Sequence, residues 1–176
     1  MKRLPASAPD IAVCVGLEGV LYLEDRRRLP PSLHRLTDAL DYWADHAPSR
    51  PFLVERDQTG AWVPLTYADA RSQARAIAQA LIDRQLSVDR PVLILSGNSI
   101  EHALLALAAM YAGVLYAPIS PAYSLQSRDH ATLAVTLELM RPGLVFAADA
   151  VVYGRALDRL QRGVEIVAST APRVAS

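Results

Sequence analysis

The residues from Pro91 to Ala112 constrain the fold most. Pro91-Val92-Leu93-Ile94-Leu95 is an unbroken apolar run bounded by Arg90 and Ser96. A strand buried on both faces has this pattern, and such strands belong to parallel sheets covered by helices. Ser96-Gly97-Asn98-Ser99 then turns the chain into a helix expected over residues 100–112. That helix is apolar nearly all round and is therefore interior. Gly113 is its expected C-cap. The theme continues with a strand at 114–117, a loop at 118–124 and a helix capped by Ser127 that carries Leu133, Leu137 and Met140. Pro142-Gly143 stops that helix, and a strand at 144–147, a short helix at 150–160 and a strand at 164–167 follow. Strands alternating with helices imply an α/β fold, a mostly parallel sheet with flanking helices.

Upstream the signals are different. Residues 1–10 hold two prolines and small side chains and are expected to be mobile. Leu17 to Leu23 reads as an apolar strand or extended arm, broken by Leu29-Pro30-Pro31. Leu36, Ala39, Leu40 and Trp43 recur at helical spacing until Pro48. Residues 52–54 and 62–65 flank Asp57-Gln58-Thr59-Gly60 as a β-hairpin, with Pro64 placing its second strand at an edge. Thr66 is an expected N-cap, and Asp69 suits the positive end of the helix that follows. That helix carries Ala70, Ala74, Ile77, Ala78, Leu81 and Ile82 on one side.

Composition excludes several function classes. With 18 basic and 18 acidic residues the formal net charge is zero, so no basic excess exists for nucleic acid or an anionic membrane. Arg26-Arg27-Arg28 follows Glu24 and Asp25 and reads as a solvated turn. Seventeen of the basic residues are arginine and one, Lys2, is lysine, which leaves no well-placed amine for a Schiff base or a phosphate clamp. Cys14 is the single cysteine, which suits a reducing cytoplasm. Set between Val13 and Val15, it is expected to be a buried or half-buried hydrophobe. The apolar stretch from Ala103 to Val114 is shorter than the ~20 residues of a membrane span.

Candidate chemistry is sparse. The eight glycines form neither G-x-G-x-x-G nor G-x-x-x-x-G-K-[ST]. Gly97, Asn98 and Ser99 remain the candidate binding loop, because a turn from a buried strand into a helix can offer N–H groups to an anion. The preferred alternative is that Gly97 permits the turn while Asn98 or Ser99 caps the helix. His34, His46, His102 and His130 show no H-x-x-x-H spacing, so zinc is unsupported. Glu101-His102 point in different directions on a helix, and His102 reads as structural. No serine lies in a G-x-S-x-G elbow. Tyr116, Tyr123, Trp43 and Trp62 could contact an aromatic acid, but packing explains both tryptophans better.

An ordered series of segments carries a resemblance. Leu65-Thr66-Tyr67 leads into the first long helix, Val92 to Glu101 forms a strand and Asn-Ser turn, and Ala112-Gly113 through Pro118 and Pro121-Ala122-Tyr123 form a strand and proline-rich loop. Together they resemble the N-terminal part of the adenylate-forming, AMP-binding superfamily over about Leu29 to Val167. The runs Ile100 to Leu107, Tyr116 to Leu125 and Arg141 to Asp149 look most similar to feruloyl-CoA synthetases. The resemblance implies an N-terminal arm at 1–28 and a partial AMP-binding N-terminal subdomain at 29–176. For the full-length enzyme it implies ATP, Mg2+ and coenzyme A: a carboxylate attacks the α-phosphate of ATP, and the coenzyme A thiol then displaces AMP.

The family's Ser/Thr/Gly-rich loop ending in Pro-Lys is absent from these 176 residues. Also absent are its Tyr-Gly-x-Thr-Glu segment, ribose-binding aspartate, hinge and C-terminal lysine. No catalytic, cofactor-binding or metal residue is carried over, and the isolated chain is expected to bind no cofactor and to be inactive. Its expected partners are the remainder of the ligase chain and, in the full enzyme, an aromatic carboxylic acid, with neither nucleic acid nor membrane. A truncated or degenerate α/β binding or interaction module is the alternative. A dinucleotide oxidoreductase shares the alternation but lacks its glycine fingerprint.

Overall fold

The computed structural model describes residues 10–27, 34–57, 59–160 and 163–170. The expectations for residues 1–9 and for Leu29-Pro30-Pro31 lie outside them. The chain divides into two compact units between His34 and Arg35. The expected boundary at 28/29 falls among residues that are not described.

The first unit is an antiparallel hairpin of β1 (Ile11–Val15) and β2 (Leu21–Asp25), with Val13 opposite Leu23. The sequence predicts one apolar strand or arm over 17–23 here; the strand lies at 21–25, residues 17–19 form a short helical turn, and strand β1 is additional. Its run Ile-Ala-Val-Cys-Val is apolar on both faces and gives no alternation to read. Cys14 is exposed, which corrects the expectation of burial: within this unit no second layer covers the hairpin. Asp25 binds the Arg27 side chain, which holds its carboxyl below the usual range.

In the second unit, α1 (Leu36–His46) precedes the hairpin of β3 (Pro51–Arg56) and β4 (Trp62–Thr66). The Asp57 carboxylate organises the connection, accepting from the Thr59 and Ala61 N–H groups at 2.8 and 3.0 Å. Helix α2 (Tyr67–Asp83) starts at Thr66, whose hydroxyl accepts the Asp69 N–H at 3.2 Å and donates to the Asp69 carboxylate at 2.6 Å. Its buried face is Ala70, Ala74, Ala78 and Leu81, whereas Ile82 is half exposed.

The sheet order is β6 (Tyr116–Ile119), β5 (Val92–Leu95), β7 (Leu144–Asp149), β8 (Glu165–Thr170), and all pairs are parallel. Strand β5 (Val92–Leu95) is fully buried, as its unbroken apolar run requires. Its alternate residues feed two cores. Val92 and Ile94 meet Ala78 and Leu81 of α2 and Leu105 and Ala108 of α3 (Ile100–Ala112). Leu93 and Leu95 meet Leu133 and Leu137 of α4 (Ala131–Met140) and Ala156 of α5 (Gly154–Leu157). A third core joins Leu40 of α1, Leu65 of β4 and Leu104 and Leu107 of α3, so α3 is covered on both sides. This is the expected α/β architecture.

Several boundaries move. Strand β6 spans Tyr116–Ile119 rather than 114–117, and Pro118 stands inside it. An edge strand can spare the N–H that proline lacks, and β6 is an edge. Ser127 does not cap α4: its hydroxyl accepts the His130 N–H at 3.0 Å one turn early, and His130 itself is the N-cap with φ +56°. A π-helical turn (Ala122–Gln126) fills the expected loop. The helix expected over 150–160 is the single turn of α5, after which Leu144–Asp149 (β7) pairs with Glu165–Thr170 (β8).

Candidate functional site

Parallel sheets place ligands beyond the carboxyl ends of their strands, which here directs attention to the turn after β5. Gly97 and Asn98 are exposed and Ser99 is half-buried. Gly97 has a φ any residue could adopt and open space where a Cβ would stand, so the turn does not require glycine. Ser99 is the N-cap of α3, and its hydroxyl accepts the His102 N–H at 3.1 Å. The His102 ring folds back and donates from Nδ1 to the Gly97 carbonyl at 3.0 Å. The Ser96 hydroxyl donates to the same carbonyl at 2.8 Å.

A carboxylate from a distant strand completes this arrangement. Glu55 of β3 accepts the Ile100 N–H at 2.9 Å, through Oε2. The first turn of α3 is where an anion gains from free N–H groups and the helix dipole. Glu55 already supplies negative charge there. Beside it lies an open cleft of about 330 Å³, lined by Leu53, Glu55, Asn98, Ser99, Ile100 and His102 among others. The structure thus brings Gly97, Asn98 and Ser99 together with Glu55. Sequence reasoning missed Glu55, because nothing in the local sequence links it to residue 100.

A second polar cluster ties three helices. The Tyr111 hydroxyl donates to Asp41 Oδ1 at 2.7 Å, and Arg75 Nη2 pairs with the same oxygen at 2.8 Å. Burial first, and then the Asp41 carboxylate, push the Tyr111 phenol up to about 12. Burial alone raises Tyr153. His130 is buried, donates from Nε2 to the Ser124 carbonyl at 3.2 Å, and leaves Nδ1 without a partner among the described residues.

The aromatic candidates are dispersed. Trp43 sits on α1 against Tyr42 and Tyr67, Trp62 on β4 beneath the Arg56 guanidinium at 4.4 Å, Tyr116 on β6 and Tyr123 in the π-helical turn. Among the described residues no three His, Cys, Asp or Glu side chains gather where they could hold a metal. With Glu55 accepting the Ile100 N–H, the start of α3 is a poor fit for a nucleotide phosphate. No helix among them is long and apolar enough to cross a membrane.

A family model described as AMP-binding enzyme matches residues 40–172. The chain is 29% identical over 158 residues to the AMB antimetabolite synthetase AmbE of Pseudomonas aeruginosa, covering 88% of this chain and 7% of that protein. It is 33% identical over 78 residues to bacitracin synthase 3 of Bacillus licheniformis, covering 44% of this chain and 1% of that protein. Among solved structures it is similar to CmiS6, with a TM-score of 0.62 and 24% identity over 84% of this chain and 38% of that one. It is also similar to the fatty acyl-adenylate ligase of L. pneumophila, solved with acyl adenylate and pyrophosphate, with a TM-score of 0.61 and 19% identity over 77% of this chain and 23% of that one. At such identities the structures establish the fold. The chain therefore spans a small part of each relative, and the family match, which runs from α1 into the end of the described chain, shows that it belongs to the AMP-binding enzyme family.

Proposed function

We propose that this chain is a scaffold portion of an adenylate-forming acid ligase, and that by itself it forms no acyl-adenylate. The observation that carries this reading is the occupied turn after β5. Ser99, His102 and the Gly97 carbonyl satisfy one another, and Glu55 takes the Ile100 N–H. A phosphate approaching that helix start would meet a carboxylate, at a cost in like-charge repulsion. Gly97, Asn98 and Ser99 then serve to launch α3 at a fixed angle from β5, and the nucleotide and metal are held by parts of the parent protein outside these residues. Coenzyme A is the acyl acceptor in this reading and a hydroxycinnamate the acid, on the strength of the runs 100–107, 116–125 and 141–149.

Pyrophosphate release with ATP, Mg2+ and ferulate tests the proposal. The purified chain should release none, and the parent protein containing it should release pyrophosphate and form a coenzyme A thioester. Robust release by the isolated chain would overturn the scaffold reading. A parent protein that activates amino acids but not ferulate would overturn the choice of acid.

A further inference from the structure

The negative charge that makes the start of α3 unfit for phosphate makes the cleft beside it fit for a cation. Glu55 accepts the Ile100 N–H through Oε2, and its Oε1 has no hydrogen-bond partner among the described residues. A carboxylate has about four acceptor positions, so one N–H leaves most of them open. No guanidinium or ammonium among the described residues pairs with it. Its neighbour Arg56 is turned away, because consecutive strand residues point to opposite faces. Glu55 stands opposite Val63, whereas Arg56 stands opposite Trp62 and lies over that ring at 4.4 Å. Glu55 is half-buried, and a charge drawn out of water costs free energy until an opposite charge joins it.

The cleft measures about 330 Å³, at the lower end of the ~300–1,000 Å³ of small-molecule sites. Leu53, Ile100 and Ala103 give it an apolar wall, and neither lysine nor arginine lines it. His102, also in the lining, donates from Nδ1 to the Gly97 carbonyl at 3.0 Å, so Nε2 of the neutral ring is left as an acceptor. The Ser99 hydroxyl is engaged by the His102 N–H at 3.1 Å. The lining therefore combines a carboxylate oxygen, an imidazole acceptor and aliphatic surface, with no cationic donor. A primary ammonium carries N–H donors and no acceptor, which is the complement of this set. A phosphate or a simple carboxylate has the wrong charge, and an α-amino acid would bring its own carboxylate towards Glu55.

We propose that the cleft between β3 and the start of α3 binds a small primary amine, with the ammonium on the Glu55 carboxylate and an aliphatic body against Leu53, Ile100 and Ala103. The site does not depend on the scaffold reading: the chain can hold an amine there whether or not it adenylates an acid. The test is nitrogen–proton correlation NMR of the 176-residue chain, titrated with n-butylammonium chloride to about 50 mM at constant ionic strength. Three controls separate the contributions: n-butanol lacks the charge, butyrate reverses it, and tetramethylammonium keeps it without N–H donors. Butylammonium shifts the Glu55, Ile100 and Ala103 amides saturably, with a Kd on the order of 1–10 mM. Each control binds about tenfold more weakly or worse. Glu55→Gln keeps an oxygen for the Ile100 N–H, so the spectrum stays that of the folded chain, yet butylammonium affinity falls about tenfold or more. No saturable shift at Glu55 and Ile100 by about 50 mM overturns the proposal. So does a control that binds as tightly as butylammonium, binding that survives Glu55→Gln, or shifts spread equally over other exposed carboxylates such as Asp69 and Asp83.

Discussion

Gly143→Ala measures how tightly the start of β7 is packed. Gly143 has no need of glycine's backbone freedom: its φ lies outside the left-handed region. Its constraint is space. A Cβ there would stand 2.7 Å from Leu86 Cδ2 and 3.2 Å from Arg90 Cβ. Leu86 is 6% exposed and packed with Ala78, Leu81 and Val92, so its methyl has no open side to turn to. The Gly143 N–H also donates to the Pro91 carbonyl at 2.9 Å, which resists a shift of the backbone away from the clash. Overpacking of this kind costs about 1–3 kcal/mol. Leu86→Ala alone should cost about 2–5 kcal/mol through the cavity it leaves. In the double variant the added methyl enters that cavity, so the two losses should fall short of additivity by about 0.5–3 kcal/mol. Urea unfolding followed by far-UV circular dichroism gives all four corners of the cycle, with the denaturant slope unchanged. A Gly143→Ala loss below about 0.5 kcal/mol, or an additive cycle, would refute the steric argument.

Two further outcomes follow from the polar contacts. Glu55→Ala removes a charge-assisted bond to the Ile100 N–H and should cost about 1.5–3 kcal/mol, with faster amide exchange in the first turn of α3; unchanged exchange there would mean that water replaces Glu55 without loss. Tyr111 holds its phenol proton more tightly when folded, because its value is raised from 10.0 to about 12. The stability it contributes is complete below its unfolded value and is lost as pH climbs from there towards about 12. Tyr111→Phe should flatten that alkaline decline in thermal midpoint, and parallel declines in the two proteins would sink the assignment.

The legible parts of this fold were those with local causes. Strand β5 announces itself by four consecutive buried residues, Ser99 by its place one residue before α3, and Gly113 by its left-handed φ of +68° at the helix end. Thr66 is legible for the same reason. What escaped depends on partners far along the chain. Glu55 reaches residue 100, and Asp41 reaches Arg75 and Tyr111 across three helices. Pro118 misled by composition, since proline breaks an interior strand but not an edge. Pro142-Gly143 is a helix stop, as read, with α4 ending at Met140, but the close packing of Gly143 against Leu86 in another element was not legible. At the candidate site the cap was readable and the carboxylate opposite it was not.

The strand order has a consequence for synthesis. Of the four parallel strands β5 is made first, yet one of its two neighbours is β7, with Val92 opposite Leu144. Between them the ribosome must deliver α3, β6, the π-helical turn and α4. Until Leu144–Asp149 emerges, Val92–Leu95 can pair only with β6, and one edge of the most apolar strand stays open. An unpaired apolar edge is the template on which chains pair wrongly. Between the synthesis of Leu95 and of Leu144, then, β5 carries an open edge on which wrong pairing can start.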